Sequence, residues 1–119
     1  MLIEILKPDF VFEDERGKLI QLVHGGYSQF NIVLSKSGML RGKHYHKENN
    51  EVFFVIDGSF EFIASRENEI ENYVFRKGDM FLVRPYVIHS FKYLEDSLVA
   101  AMYDKGVEHE DSTKDIYTE

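Results

Sequence analysis

The stretch that decides the fold is RGKHYHKENNEVFFVIDGSFEF, Arg41 to Phe62. In an extended strand, residues two apart project from the same face, so His44 and His46 aim their imidazoles together while Tyr45 points away. Glu51 opens the next apolar run, where Glu51, Phe53 and Val55 share a face. The polar run KENN between them reverses the chain and returns the Glu51 carboxylate towards the histidines. Asp57-Gly58 then predicts a tight type I′ hairpin into SFEF, because glycine accepts positive φ at little cost. Further along, His89 stands four residues after Pro85 at the start of another strand. Three imidazoles and one carboxylate, His44, His46, His89 and Glu51, form a ligand set for a divalent transition metal with positions left for water or substrate.

On either side of this stretch the chain reads as strand almost throughout. GKLIQLV, QFNIVLS, LRGKHYH, EVFFVID, SFEFIAS, ENYVFRK, DMFLVRP, HSFKYL and SLVAAMYD follow one another, separated by Gly, Asp, Asn or Ser. Short apolar runs at this spacing predict an all-β sandwich or barrel. SRENEIE reads as a polar loop and Lys77-Gly78 as a turn. With 119 residues, no linker and no low-complexity tract, a single domain over 1–119 is expected. The tail KGVEHEDSTKDIYTE is polar, and is either loosely held or packed on the barrel or a partner.

Composition narrows the chemistry. There is no cysteine, so disulfides, thiolate metal sites and cysteine nucleophiles are excluded together, and any metal is held by His and carboxylate. A net charge of −7 without a basic stripe argues against a nucleic-acid surface. Nothing is apolar for long enough to span a bilayer, and MLIEILKPDF has neither the basic lead nor the cleavage site of a signal peptide. A cytoplasmic location is therefore expected. An anionic small molecule remains compatible with this charge if a few arginines meet locally.

The spacing of Gly38, His44, His46, Glu51 and Gly58 resembles the first cupin motif, and GDMFLVRPYVIHSF, with Gly78, Pro85 and His89, resembles the second, without the glycine that usually follows the proline. The resemblance implies an antiparallel jelly-roll β-barrel, often dimeric, with its site in the barrel mouth. DERGKLIQL, LRGKHYHK and VRPYVIHSF narrow it to the sugar-nucleotide cupins, which include 3,4-ketoisomerases, 3,5-epimerases and the epimerase domain of capsule-biosynthesis reductases. The implied substrate is a nucleotide-linked keto sugar, with His44 or His46 moving protons beside the ketone and Arg16 and Arg41 towards the diphosphate. The implied cofactor is one divalent transition metal (Zn, Mn, Fe or Ni) for capsule-type relatives and none for a ketoisomerase. A homodimer is implied as well, and it would cover the exposed edges of so small a barrel.

Physical chemistry suits either version. A proton beside a ketone needs a base close by and a group that stabilises the enolate oxygen. A histidine titrating near neutrality fits the first need. A zinc ion, or arginine with a hydrogen-bonded tyrosine, fits the second.

Individual residues carry competing readings. In a regular strand Arg41 falls with Lys43 and Tyr45, opposite the histidines, and only a bulge at Gly42 would bring it round. Gln29 and Asn31 share a face that is either lined with sugar hydroxyls or turned to water. Tyr103 offers the site a phenol or packs in the core. Arg16 binds substrate or closes a turn with an exposed ion pair. His24 and His109 lie outside the motifs and read as solvent-facing. Two function classes follow: a keto-sugar isomerase or epimerase, or a metal-holding cupin of another kind, either a small-molecule dioxygenase or a non-catalytic ligand-binding protein.

Overall fold

A computed structural model describes residues 1–119. The elements are all strands: β1 (Ile3–Leu6), β2 (Phe10–Asp14), β3 (Gly17–Gln21), β4 (Gln29–Ser35), β5 (Leu40–Tyr45), β6 (Glu51–Asp57), β7 (Ser59–Arg66), β8 (Glu69–Arg76), β9 (Met80–Val83), β10 (Ile88–Tyr93), β11 (Ser97–Tyr103) and β12 (Tyr117–Thr118). Two five-stranded sheets face each other in the orders β1-β9-β6-β11-β4 and β12-β5-β10-β7-β8, and β2-β3 stands apart as a hairpin. This is the expected jelly-roll cupin fold, built as two facing sheets rather than one ring closed by hydrogen bonds. No helix of the chain is long and apolar enough to cross a membrane.

The alternation of side chains explains the core. Phe53 and Val55 of β6, Phe81 and Val83 of β9, and Val99 and Ala101 of β11 meet Phe60, Phe62 and Ala64 of β7 and Phe75 of β8 in one buried cluster. Its centre is aromatic, with Phe75 and Phe81 stacked at 3.9 Å between centroids and Phe62 4.9 Å from Phe81. Strand β6 is buried on both faces, because Val52 and Phe54 belong to a second cluster with Met80 and Met102, covered by Leu22, Val23 and Tyr27. A strand covered on both sides reads as a continuous apolar run, and VFFVI is one.

Two turn readings are corrected. Asp57-Gly58 is not a hairpin, since β6 and β7 lie in different sheets and the dipeptide is a corner between them. Gly58 has φ of +94°, and a Cβ there would collide with Ser97. The real hairpin lies inside SRENEIE, where Glu67-Asn68 alone turn the chain and Arg66 pairs with Glu69.

Candidate functional site

Strand β5 approaches β10 with His44 opposite His89, and then Arg41 opposite Phe91, so three residues of β5 match two of β10. The extra residue makes a bulge, with Lys43 at φ of +56°. Gly42 permits the contact, because a Cβ at this position would lie 2.6 Å from the Ser90 Cβ. Without the bulge, residues three apart would face opposite ways. With it, Arg41 and His44 both line one cavity.

That cavity, of about 380 Å³, lies between the β4-β11-β6 half of one sheet and the β12-β5-β10 half of the other. His44, His46, Glu51, His89 and Tyr103 line it, with Asn31 and Arg41 among its more exposed residues. Its size falls in the range of small-molecule sites. Arg41 is held by Nε donating to the Ser35 hydroxyl at 2.9 Å and Nη2 donating to the Leu34 carbonyl.

Three of the four expected metal ligands converge. Ligand atoms of His46, Glu51 and His89 all lie within 4.8 Å of one another, and all three residues are buried. His46 Nε2 is 3.0 Å and His89 Nε2 3.4 Å from Glu51 Oε1. On the far side of each ring, Nδ1 meets a backbone carbonyl, that of Asp115 at 2.6 Å for His46 and that of Val87 at 3.0 Å for His89. A carbonyl only accepts, so each Nδ1 carries a proton and each Nε2 faces the carboxylate. Metal-binding histidines are oriented in the same way, so the donor set fits a divalent transition metal. His44 lines the same cavity but stands outside this cluster.

Two expected substrate contacts are not brought to the cavity. Gln29 accepts the Val107 N–H at 2.8 Å and ties a loop instead. Arg16 sits at the tip of the β2-β3 hairpin, where it chelates Asp14 with Nη2 to Oδ2 at 2.6 Å. A two-residue offset from Asp14 makes this pair local, as in an ordinary turn. His24 and His109 are exposed and pair with Asp9 and Glu48.

The titrations follow from this packing. Burial works to raise the Glu51 carboxyl, but the hydrogen bonds and charges of His46 and His89 outweigh it and bring it down to about 2. Burial lowers His46, yet the hydrogen bond and charge of Glu51, aided by Asp115, leave it above its ordinary value. His44 is held below its ordinary value by burial and then by His89 and His46, against the pull of Glu51. Tyr103 is pushed upward by burial and by Glu51, so its hydroxyl keeps its proton. The site thus offers a neutral imidazole facing open space, an imidazole-carboxylate pair behind it and a protonated phenol.

Sequence reasoning missed the C-terminal segment. Asp115 is fully buried, and its carboxylate accepts the backbone N–H groups of Lys47, Glu48 and Asn49 and the Asn49 amide. Tyr86 supplies the turn where the second cupin motif usually has glycine, with φ of +67°, and donates its N–H to the His46 carbonyl.

Solved structures share this fold. A dTDP-4-dehydrorhamnose 3,5-epimerase from Sulfolobus tokodaii is 27% identical, with 87% of this chain and 70% of that one aligned at a TM-score of 0.74. A 3,4-ketoisomerase from Thermoanaerobacterium thermosaccharolyticum, in complex with TDP-4-keto-6-deoxyglucose, aligns over 98% of this chain and 86% of its own at a TM-score of 0.82 and 14% identity. A 3,4-ketoisomerase from Helicobacter canadensis gives 0.80 at 19% identity over 94% and 89%. These last two show the common fold. No curated protein matches the sequence. The family model described as the polysaccharide biosynthesis C-terminal domain matches residues 12–114, and the chain belongs to that family.

Proposed function

We propose that this protein acts on a nucleotide-linked keto sugar in polysaccharide or deoxysugar biosynthesis, as an isomerase or epimerase that removes a proton beside the ketone. The observation that carries this reading is the cavity in which His44 stands with its titration depressed, opposite the buried Tyr103 hydroxyl and beside the His46-Glu51 pair. A neutral imidazole in reach of substrate is a general base, and a phenol that keeps its proton donates a hydrogen bond to developing enolate charge. His46, pinned on both nitrogens, holds the carboxylate in place and passes charge to it rather than meeting substrate first. Arg41 faces the diphosphate from the cavity wall, and Asn31 faces the sugar. The likeness to the 27%-identical epimerase supports the same substrate class. The enzyme is taken to work in the cytoplasm as a homodimer.

The test is proton exchange in deuterated water. Nucleotide-linked 4-keto sugars incubated with the protein should lose a carbon-bound proton by NMR, and His44→Asn should slow that loss about 10²- to 10⁴-fold. Exchange on none of the sugars tried would overturn the reading.

His46, Glu51 and His89 support a metal as the finer part of the proposal. Bound there, a divalent transition metal would polarise the ketone and stabilise the enolate oxygen. Mass spectrometry of protein purified without chelator should find near one metal per chain, absent from His89→Ala. The same ligand set favours the second reading, an oxygenase or a non-catalytic metal-holding cupin; metal without any proton exchange would select it.

A further inference from the structure

Arg41 is the one arginine that lines the cavity, and it does so without a carboxylate partner. Arg16 and Arg84, by contrast, are each held by an acid, Asp14 and Glu4. The one acid in the cavity wall, Glu51, is already answered by His46 and His89. Two neutral acceptors hold Arg41 instead: the Ser35 hydroxyl takes Nε at 2.9 Å and the Leu34 carbonyl takes Nη2 at 3.2 Å. A guanidinium carries five N–H donors in one rigid plane, so these two bonds fix the fork and leave three donors unspent. Ser35 is 7% exposed and ends β4, where its backbone pairs with Ser97, a pairing that needs no hydroxyl. Tyr93, buried in the same cavity wall, stands beside both residues. Burial pushes its phenol up against the hydrogen bonds of Ser35 and Arg41, so it keeps its proton and donates as well. Tyr93 lies four residues beyond His89 on β10, roughly 13 Å along an extended strand, which sets this cluster apart from the buried histidines.

We propose that Ser35 is a positioning residue for an anion subsite: its hydroxyl fixes the Arg41 guanidinium so that the unspent donors meet a phosphate group at the end of the cavity away from His46, Glu51 and His89. The inference rests on the keto-sugar reading only for the identity of that anion, a nucleoside diphosphate. Ser35 does not touch the ligand. It acts through Arg41, whose long side chain would otherwise be ordered at the moment of binding, and a donor fixed beforehand loses less freedom when the anion arrives. The positive charge is left uncompensated, so an incoming phosphate displaces no acid from it.

The experiment is a double-mutant cycle on anion affinity, read by titration calorimetry with thymidine diphosphate and with inorganic pyrophosphate. Ser35→Ala should weaken both about 10-fold, the worth of a hydrogen bond to a charged group, and Ser35→Thr, which keeps the hydroxyl, should recover most of that loss. In an Arg41→Lys background Ser35→Ala should cost less than about twofold, because the group it acts through is gone. Any contribution from a metal in the cavity is common to all four proteins of the cycle and cancels. Should Ser35→Ala fail to melt cooperatively, Ser35→Cys, which keeps the shape and weakens the acceptor, carries the same comparison. An unchanged affinity in the Ser35 variant, or an equal loss in the Arg41→Lys background, overturns the proposal, as does a wild-type protein that binds neither anion. Each of these leaves the keto-sugar reading to be judged by proton exchange. The expected pattern in a protein that exchanges no keto-sugar proton leaves the subsite standing and overturns the proposed function.

Discussion

Glu51 keeps a negative charge inside the sandwich because two imidazoles answer it, and that has a pH consequence. Its carboxyl titrates at about 2 in the folded chain against an ordinary 4.5, so between these values the unfolded chain binds the proton and the folded chain does not. A group with a lowered folded value stabilises fully above the unfolded value and loses that contribution as pH falls through the folded one. Metal-stripped protein should therefore lose on the order of 3 kcal/mol of stability on acidification across this window. Urea titrations at stepped pH read it, and Glu51→Gln should flatten the slope there; equal slopes would show that Glu51 is not the group responsible. The convergence of His46, Glu51 and His89 was legible in the sequence, since side-chain type and strand parity carry it. The partner of His46 on its other nitrogen was not, because a backbone carbonyl has no letter and Asp115 lies far along the chain.

At the scale of the element, the bulge in β5 decides what the cavity contains. Gly42 is where it is tested: a methyl group there meets Ser90 at 2.6 Å, Cβ to Cβ, and the two strands must separate or the bulge must shift. Gly42→Ala should cost about 1–3 kcal/mol, as overpacking does. Ser90→Gly, by removing the opposing Cβ, should recover part of that loss in the double variant, and strictly additive losses in denaturant melts would sink the explanation. The nine strands from β3 to β11 were legible because each is an apolar run between turn residues. Strands β1, β2 and β12 were not, being short and set near the chain ends, where pairing with β9, β3 and β5 rather than local pattern makes them strands. The Asp57-Gly58 corner shows the same limit: its two residues suit a hairpin, and only the long-range pairing of β6 with β9 and β11 sends the chain to the other sheet.

The whole molecule carries part of its exposed apolar surface on the β2-β3 arm and on the edge strand β4. The β2-β3 hairpin pairs Phe12 with Leu19 and Val11 with Ile20, yet Phe12 is 48% and Leu19 57% exposed. An isolated two-stranded hairpin is marginal in water. On the edge strand β4, Phe30, Ile32 and Leu34 face outward, and Leu34 is 71% exposed. Exposed apolar residues gathered on an arm and on a sheet edge mark an association surface, and a second copy of the chain, which brings the same arm and the same edge, satisfies both at once. This is the surface that the proposed homodimer would bury. Sedimentation or size-exclusion with light scattering should give twice the 14.0 kDa chain mass at micromolar concentration. Phe12→Asp combined with Leu19→Asp places like charges directly across the hairpin on the surface to be buried, and should return the protein to the single-chain mass while the circular dichroism of the two large sheets is retained. A wild-type protein that already runs at the single-chain mass, or a charged variant that still runs at twice it, would remove this arm from the interface.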